Sequence, residues 1–181
     1  MAFSKDGQYL IAVGVEYGSS LCVYEISSGK VLDMAVLYDQ YTNKIKVDPN
    51  VDGTHIQFIT VGNNALLNIW RFDTQRQKLI FNSVSQPEMI KHVNFLTADF
   101  TGYMAQPTGT YLIVIGDSEG ALVAYDQEKN TYVDLGTSRG RLINGPIGGI
   151  SIKNNIIVIA SQEGEIKTYP IVGHSIQPED P

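Results

Sequence analysis

The sequence predicts an all-β protein made of about four repeats of a four-stranded unit, and three observations predict it. Four segments, residues 21–25, 67–71, 122–126 and 165–170, end in an aromatic followed by a turn. Their aromatics, Tyr24, Trp70, Tyr125 and Tyr169, lie 46, 55 and 44 residues apart. Glu119-Gly120 and Glu163-Gly164 repeat at the same 44-residue offset as Tyr125 and Tyr169. A period of roughly 40–45 residues with four short strands per unit is the pattern of β-propeller blades.

Each blade is expected to give an inner strand, a second strand, a third strand ending in the aromatic, and an outer strand. In the first, residues 1–4 are the inner strand and Lys5-Asp6-Gly7 a tight turn. Residues 8–14 form an apolar second strand, 21–26 the third and 31–37 the outer one, after a turn at Ser27-Ser28-Gly29-Lys30. The Asp-Gly and Ser-Gly steps supply residues that tolerate positive φ. The second blade repeats this at 44–47, 54–61, 66–71 and 78–84, with a turn at Asn50-Val51-Asp52-Gly53. The third runs 102–106, 111–115, 121–126 and 131–135, turning at Pro107-Thr108-Gly109. The fourth runs 147–152, 156–160 and 165–169, turning at Lys153-Asn154-Asn155.

The fold class is therefore a WD40-type β-propeller of about four blades, 1–37, 44–84, 99–135 and 145–170, with a tail at 173–181. A β-sandwich also offers short strands at even spacing, but the shared phase of aromatic and Gly turn favours the propeller. The repeats are degenerate. The Gly-His step is missing, and only Tyr125-Asp126 keeps an Asp after the aromatic. Residue 1 falls on an inner strand and four blades are few for a ring of ~4–8, so an incomplete propeller is expected, one part of a larger ring.

Composition narrows the function. Hydrophobic residues make up 43% of the 181 and charged ones 18%, enough to bury a core. The net charge is −6 and the most basic cluster is the short Arg139-Gly140-Arg141, which argues against nucleic acid as partner. One cysteine, Cys22, allows no internal disulfide and points to a reducing compartment. There is no signal-peptide pattern and no apolar run long enough for a bilayer, so a cytoplasmic location and no membrane partner are expected.

No catalytic, cofactor or metal residues are predicted. His55, His92 and His174 have no second ligand at metal spacing. Cys22 sits mid-strand between Leu21 and Val23, as a small core residue would. Residues 136–141 lack the Gly-Lys-Ser/Thr of a phosphate loop, and 145–149 are no dinucleotide fingerprint. No small-molecule substrate is expected. What remains is surface, above all the long connection 85–98. Met89, Ile90, Val93, Phe95 and Leu96 make it more apolar than a solvated loop. It reads either as an extra strand or strap packed on a blade rim, or as a partner-binding loop.

The order Thr97-Ala98-Asp99-Phe100-Thr101-Gly102-Tyr103-Met104, then Pro107 and Gly109, then Gly136-Thr137-Ser138 and Asn144-Gly145-Pro146-Ile147, resembles one group of proteins. These are the cilia- and flagella-associated WD-repeat proteins of the axonemal tether and tetherhead complex. The resemblance implies a non-catalytic axonemal scaffold that helps anchor inner dynein arms on the doublet microtubule, with dynein-tether or doublet components as partners. It carries over no residue-level site. A general cytoplasmic adaptor, in a ubiquitin ligase or a trafficking complex, is the alternative, and an enzyme domain on a propeller scaffold is a third.

Overall fold

The computed structural model describes residues 1–14, 20–38, 40–49, 54–86, 90, 92–101, 111–133, 135, 140–172 and 175–176. The expected turns at 50–53 and 107–109, the inner strand at 102–106, residues 136–139, His174 and the tail at 177–181 lie outside them. The chain divides into two units, Met1–Asn94 and Phe95–Pro181. Among the described residues there is no α-helix, and so none long and apolar enough to cross a membrane.

The first unit holds two four-stranded antiparallel sheets, each a meander in chain order. One is β1 (Ala2–Phe3), β2 (Tyr9–Val13), β3 (Ser20–Glu25) and β4 (Val31–Val36). The other is β5 (Thr42–Val47), β6 (His55–Gly62), β7 (Leu66–Asp73) and β8 (Lys78–Ser83). The second unit holds β9 (Phe95–Phe100), β10 (Leu112–Asp117), β11 (Leu122–Asp126) and β12 (Thr131–Val133), then β13 (Ile147–Lys153), β14 (Ile156–Ser161), β15 (Ile166–Val172) and β16 (Ser175–Ile176).

The sheets share their turn chemistry. After each of the first three inner strands a small polar residue closes the hairpin. Ser4, Asp48 and Thr101 donate their N–H groups to the carbonyls of Tyr9, Gln57 and Leu112. The Ser4 and Thr101 hydroxyls accept the N–H of Tyr9 and of Leu112, both at 2.9 Å. The fourth sheet uses a two-residue turn instead, with Asn154 and Asn155 both at positive φ, 52° and 60°; asparagine is among the few residues that take this conformation readily.

The turn from third to outer strand is set by an acid. Asp73 accepts the N–H groups of Gln75 and Arg76 at 3.0 and 2.8 Å. Asp126 accepts those of Glu128 and Lys129 at 3.0 and 3.1 Å. Four residues after each acid the chain turns left-handed, at Gln77 and Asn130, and Gly29 does the same after Glu25. This alignment corrects the sequence register. Glu25, Asp73 and Asp126 are equivalent, so Phe72, and not Trp70, stands where Tyr24 and Tyr125 stand. Trp70 lies two residues earlier, where its ring stacks on Phe58 at 6.1 Å and its Nε1–H donates to Thr60 Oγ1 at 3.0 Å.

The third sheet carries the second correction. The strand paired with β10 is β9, Phe95–Phe100, not a strand at 102–106; Val114 pairs with Asp99 and Ile115 with Ala98. The apolar run that starts at Val93 therefore feeds a strand.

Carboxylates also tie neighbouring sheets together. In the first unit Asp33 of β4 accepts the Leu79 N–H of β8 at 2.9 Å. In the second, buried Asp99 of β9 accepts the Ile152 N–H of β13 at 3.1 Å. Among the described residues of each unit, an apolar core lies between its two sheets.

Candidate functional site

The connection 85–98 is the stretch the sequence singles out, and its described part is packed. The Ala65 N–H donates to the Val93 carbonyl at 2.7 Å, and the Asn64 N–H to Asn94 Oδ1 at 3.1 Å. Asn64 and Ala65 both sit at positive φ in the β6–β7 turn, so residues 93–94 strap that turn. Ile90 and Val93 are buried, Phe95 is fully buried on β9, and Leu96 is half-buried. Met89 lies outside the described residues. The side chains of Ile90, Val93 and Phe95 are therefore buried within the chain in this conformation.

A second strap, which the sequence did not single out, crosses the β10–β11 turn. The Leu142 N–H donates to the Gly120 carbonyl at 2.9 Å. The Leu142 carbonyl accepts Lys167 Nζ at 3.1 Å and the Tyr169 hydroxyl at 2.9 Å. The Asn144 N–H binds Glu165 Oε2 at 2.8 Å. That N–H, and then the Lys167 ammonium, hold the Glu165 carboxyl below the ordinary value. Ser161 and Asp117 play matching roles in the two adjacent turns. The Asp117 carboxylate accepts the N–H groups of Glu119 and Ala121, both at 2.9 Å, and the Ser161 hydroxyl accepts that of Glu165 at 3.2 Å.

Asp73, Asp126 and Asp117 each serve a turn. The Arg76 N–H first, then that of Gln75, hold Asp73 below the usual carboxylate value. Burial pushes Asp126 up, but the Lys129 N–H and ammonium outweigh it and the net direction is down. Burial is the largest influence on Asp117 and leaves it raised. His55 shares a 2.8 Å hydrogen bond with Thr54 Oγ1, and its Nε2 lies 3.8 Å from Asp73 Oδ2. His92 is exposed and Cys22 half-buried on β3.

Among the described residues no group of three His, Cys, Asp or Glu side chains is placed to hold a metal ion. A shallow pocket of about 280 Å³ lies beside the two turns of the first sheet, lined by Gly7, Gln8, Tyr9, Glu25, Ile26 and Ser27. It is at the small end for a ligand site, and Glu25 is its one charged lining residue.

Larger apolar surface lies elsewhere. Phe3 and Met34 on the first sheet are 61% and 54% exposed, and Ile156 and Ile166 on the fourth are 44% and 68% exposed. Of these, Ile156 falls in the apolar run 156–160, which, like the run 9–13 on the first sheet, lacks the polar alternation of a strand with one wet face. No protein-family model and no curated protein sequence matches this chain.

Proposed function

We propose that the four sheets are WD40-type blades and that the chain acts as a non-catalytic scaffold for other proteins. The observation that carries this reading is the fourfold meander with repeated turn chemistry, above all the acid and left-handed pair seen at Asp73/Gln77 and Asp126/Asn130. Rigid blades that present straps and turns suit protein partners, and exposed apolar side chains add surface for them.

The resemblance over residues 97–104 and 144–147 supports an axonemal setting, with dynein-tether or doublet-microtubule components as partners. Proximity labelling from the chain, in ciliated and in non-ciliated cells, tests it. Enrichment of axonemal components in ciliated cells is expected. Enrichment of ubiquitin-ligase or trafficking components in both cell types would replace this reading with a general adaptor.

A further inference from the structure

Both units obey one packing rule. Residues paired across strands share a face of the sheet. The central hairpins pair Leu10 with Tyr24, Ile56 with Phe72, Ile113 with Tyr125, and Ile157 with Tyr169. Aligned on these pairs, each sheet has an aromatic face, which carries the pair, and an aliphatic face opposite. In the first unit the aliphatic face of the first sheet (Ile11, Leu21, Val23) packs on the aromatic face of the second (Phe58, Trp70, Phe72). In the second unit the aliphatic face of the third sheet (Val114, Leu122, Ala124) packs on the aromatic face of the fourth (Ile157, Ile159, Tyr169).

Of the four faces outside these two cores, the aliphatic face of the second sheet (Ile59, Val61, Leu67) and the aromatic face of the third (Ile113, Ile115, Tyr125) are buried, and one face of each kind is left in water. The aromatic face of the first sheet carries Phe3, Leu10, Ala12, Cys22, Tyr24 and Met34, exposed or half-buried. The aliphatic face of the fourth carries Ile156, Val158, Ala160, Ile166 and Thr168, likewise exposed or half-buried, with Ser151 and Lys153 of β13 beside Val158 and Ile156. An antiparallel sheet with one wet face ordinarily turns polar residues outward; here the central hairpins turn out Leu10, Ala12, Cys22 and Tyr24 on the first sheet, and Ile156, Val158, Ala160 and Ile166 with one polar residue, Thr168, on the fourth.

We propose that the aliphatic face of the fourth sheet of one copy covers the aromatic face of the first sheet of a second copy. The rule seen twice inside the chain names the occupant: an aromatic face takes an aliphatic face, and each copy carries one of each to spare. Reciprocal pairing leaves neither uncovered. The central residues of the two faces carry no charge, and Lys153, beside Ile156 at the turn end of the fourth sheet's face, is positive, so the −6 of each chain does not oppose the contact there. The proposal rests on packing within each unit and not on the partner class proposed above.

Sedimentation of the full chain over a wide concentration range tests it. Species of two or more chains are expected, where one chain is 19.9 kDa. Val158→Glu and Met34→Glu, at exposed positions, each weaken association roughly tenfold or more by burying an unpaired charge, with the circular-dichroism melt unchanged. Placement is read by a disulfide. Ile11 and Trp70 occupy the positions equivalent to Val158 and Cys22, and they share one core. Oxidised Val158→Cys should therefore link to native Cys22 of another chain, and not in a Cys22→Ser background. A monomer throughout, an assembly indifferent to both Glu variants, or a disulfide closed within one chain would overturn the proposal.

Discussion

At the scale of single residues, the turns separate backbone strain from steric conflict. Gly120 and Gly164 occupy equivalent turns at φ 86° and 89°. A Cβ on Gly164 would meet nothing within 4 Å, whereas one on Gly120 would press on the Ile143 carbonyl and lie 2.8 Å from that of Gly145. Gly164→Ala should therefore cost only the left-handed penalty of about 1–2 kcal/mol. Gly120→Ala should cost clearly more, because the strap must move; urea midpoints of the pair measure the difference. The acids separate by sign. Asp126 is lowered, so its contribution is present above the unfolded-state value of 3.8 and lost as pH falls through the folded-state value. Asp117 is raised, so its contribution is present below 3.8 and lost as pH rises through its folded-state value. At pH 7 Asp126→Asn should destabilise by about 1 kcal/mol, an effect that fades in acid. Asp117→Asn keeps its acceptor oxygen without a buried charge and should leave the pH 7 urea midpoint equal or higher; a lower midpoint would contradict the assignment.

At the scale of elements, the straps and sheet-to-sheet carboxylates hold the strands in place. Asp99→Ala removes the acceptor for Ile152 N–H, and also for Phe100 N–H at 2.8 Å. With buried donors left unpaired, a loss of about 2–3 kcal/mol is expected in the second unit. Amide exchange at Ile152 should quicken; unchanged protection there would show that another group takes over. Among the described residues, fourteen of the sixteen strands overlap stretches assigned from sequence, because turn residues and apolar runs act over a few positions. The exceptions, β9 and β16, have local reasons. Phe95–Phe100 follows an apolar connection with no turn signal to mark its start, and its identity depends on pairing with Leu112–Asp117. Ser175–Ile176 is two residues long and pairs only with the end of β15.

At the scale of the molecule, surface chemistry determines what the protein does with its faces. The contact between copies is apolar, while the chains carry −6 each and repel at longer range. Raising salt screens that repulsion within about 10 Å at 0.1 M and leaves the apolar contact intact. Association should therefore hold or strengthen between low and high salt; a steep loss would point to ion pairing. The candidate site was legible only in part. Ile90, Val93 and Phe95 stood out as apolar, but apolar residues in a connection have the same sequence signature whether they are buried or displayed. Here packing under the β6–β7 turn and on β9 took them inside.

By itself the sequence determined the all-β class, the four repeats and most turns, since these rest on contacts between near neighbours. The Glu-Gly turns at 119–120 and 163–164 do take equivalent places. Only the tertiary structure decided that Phe72 and not Trp70 aligns with Tyr24 and Tyr125, and that β9 begins at Phe95. It alone decided which apolar faces are covered. Strand register and face burial depend on partners tens of residues away, and a one-residue shift reverses every side chain.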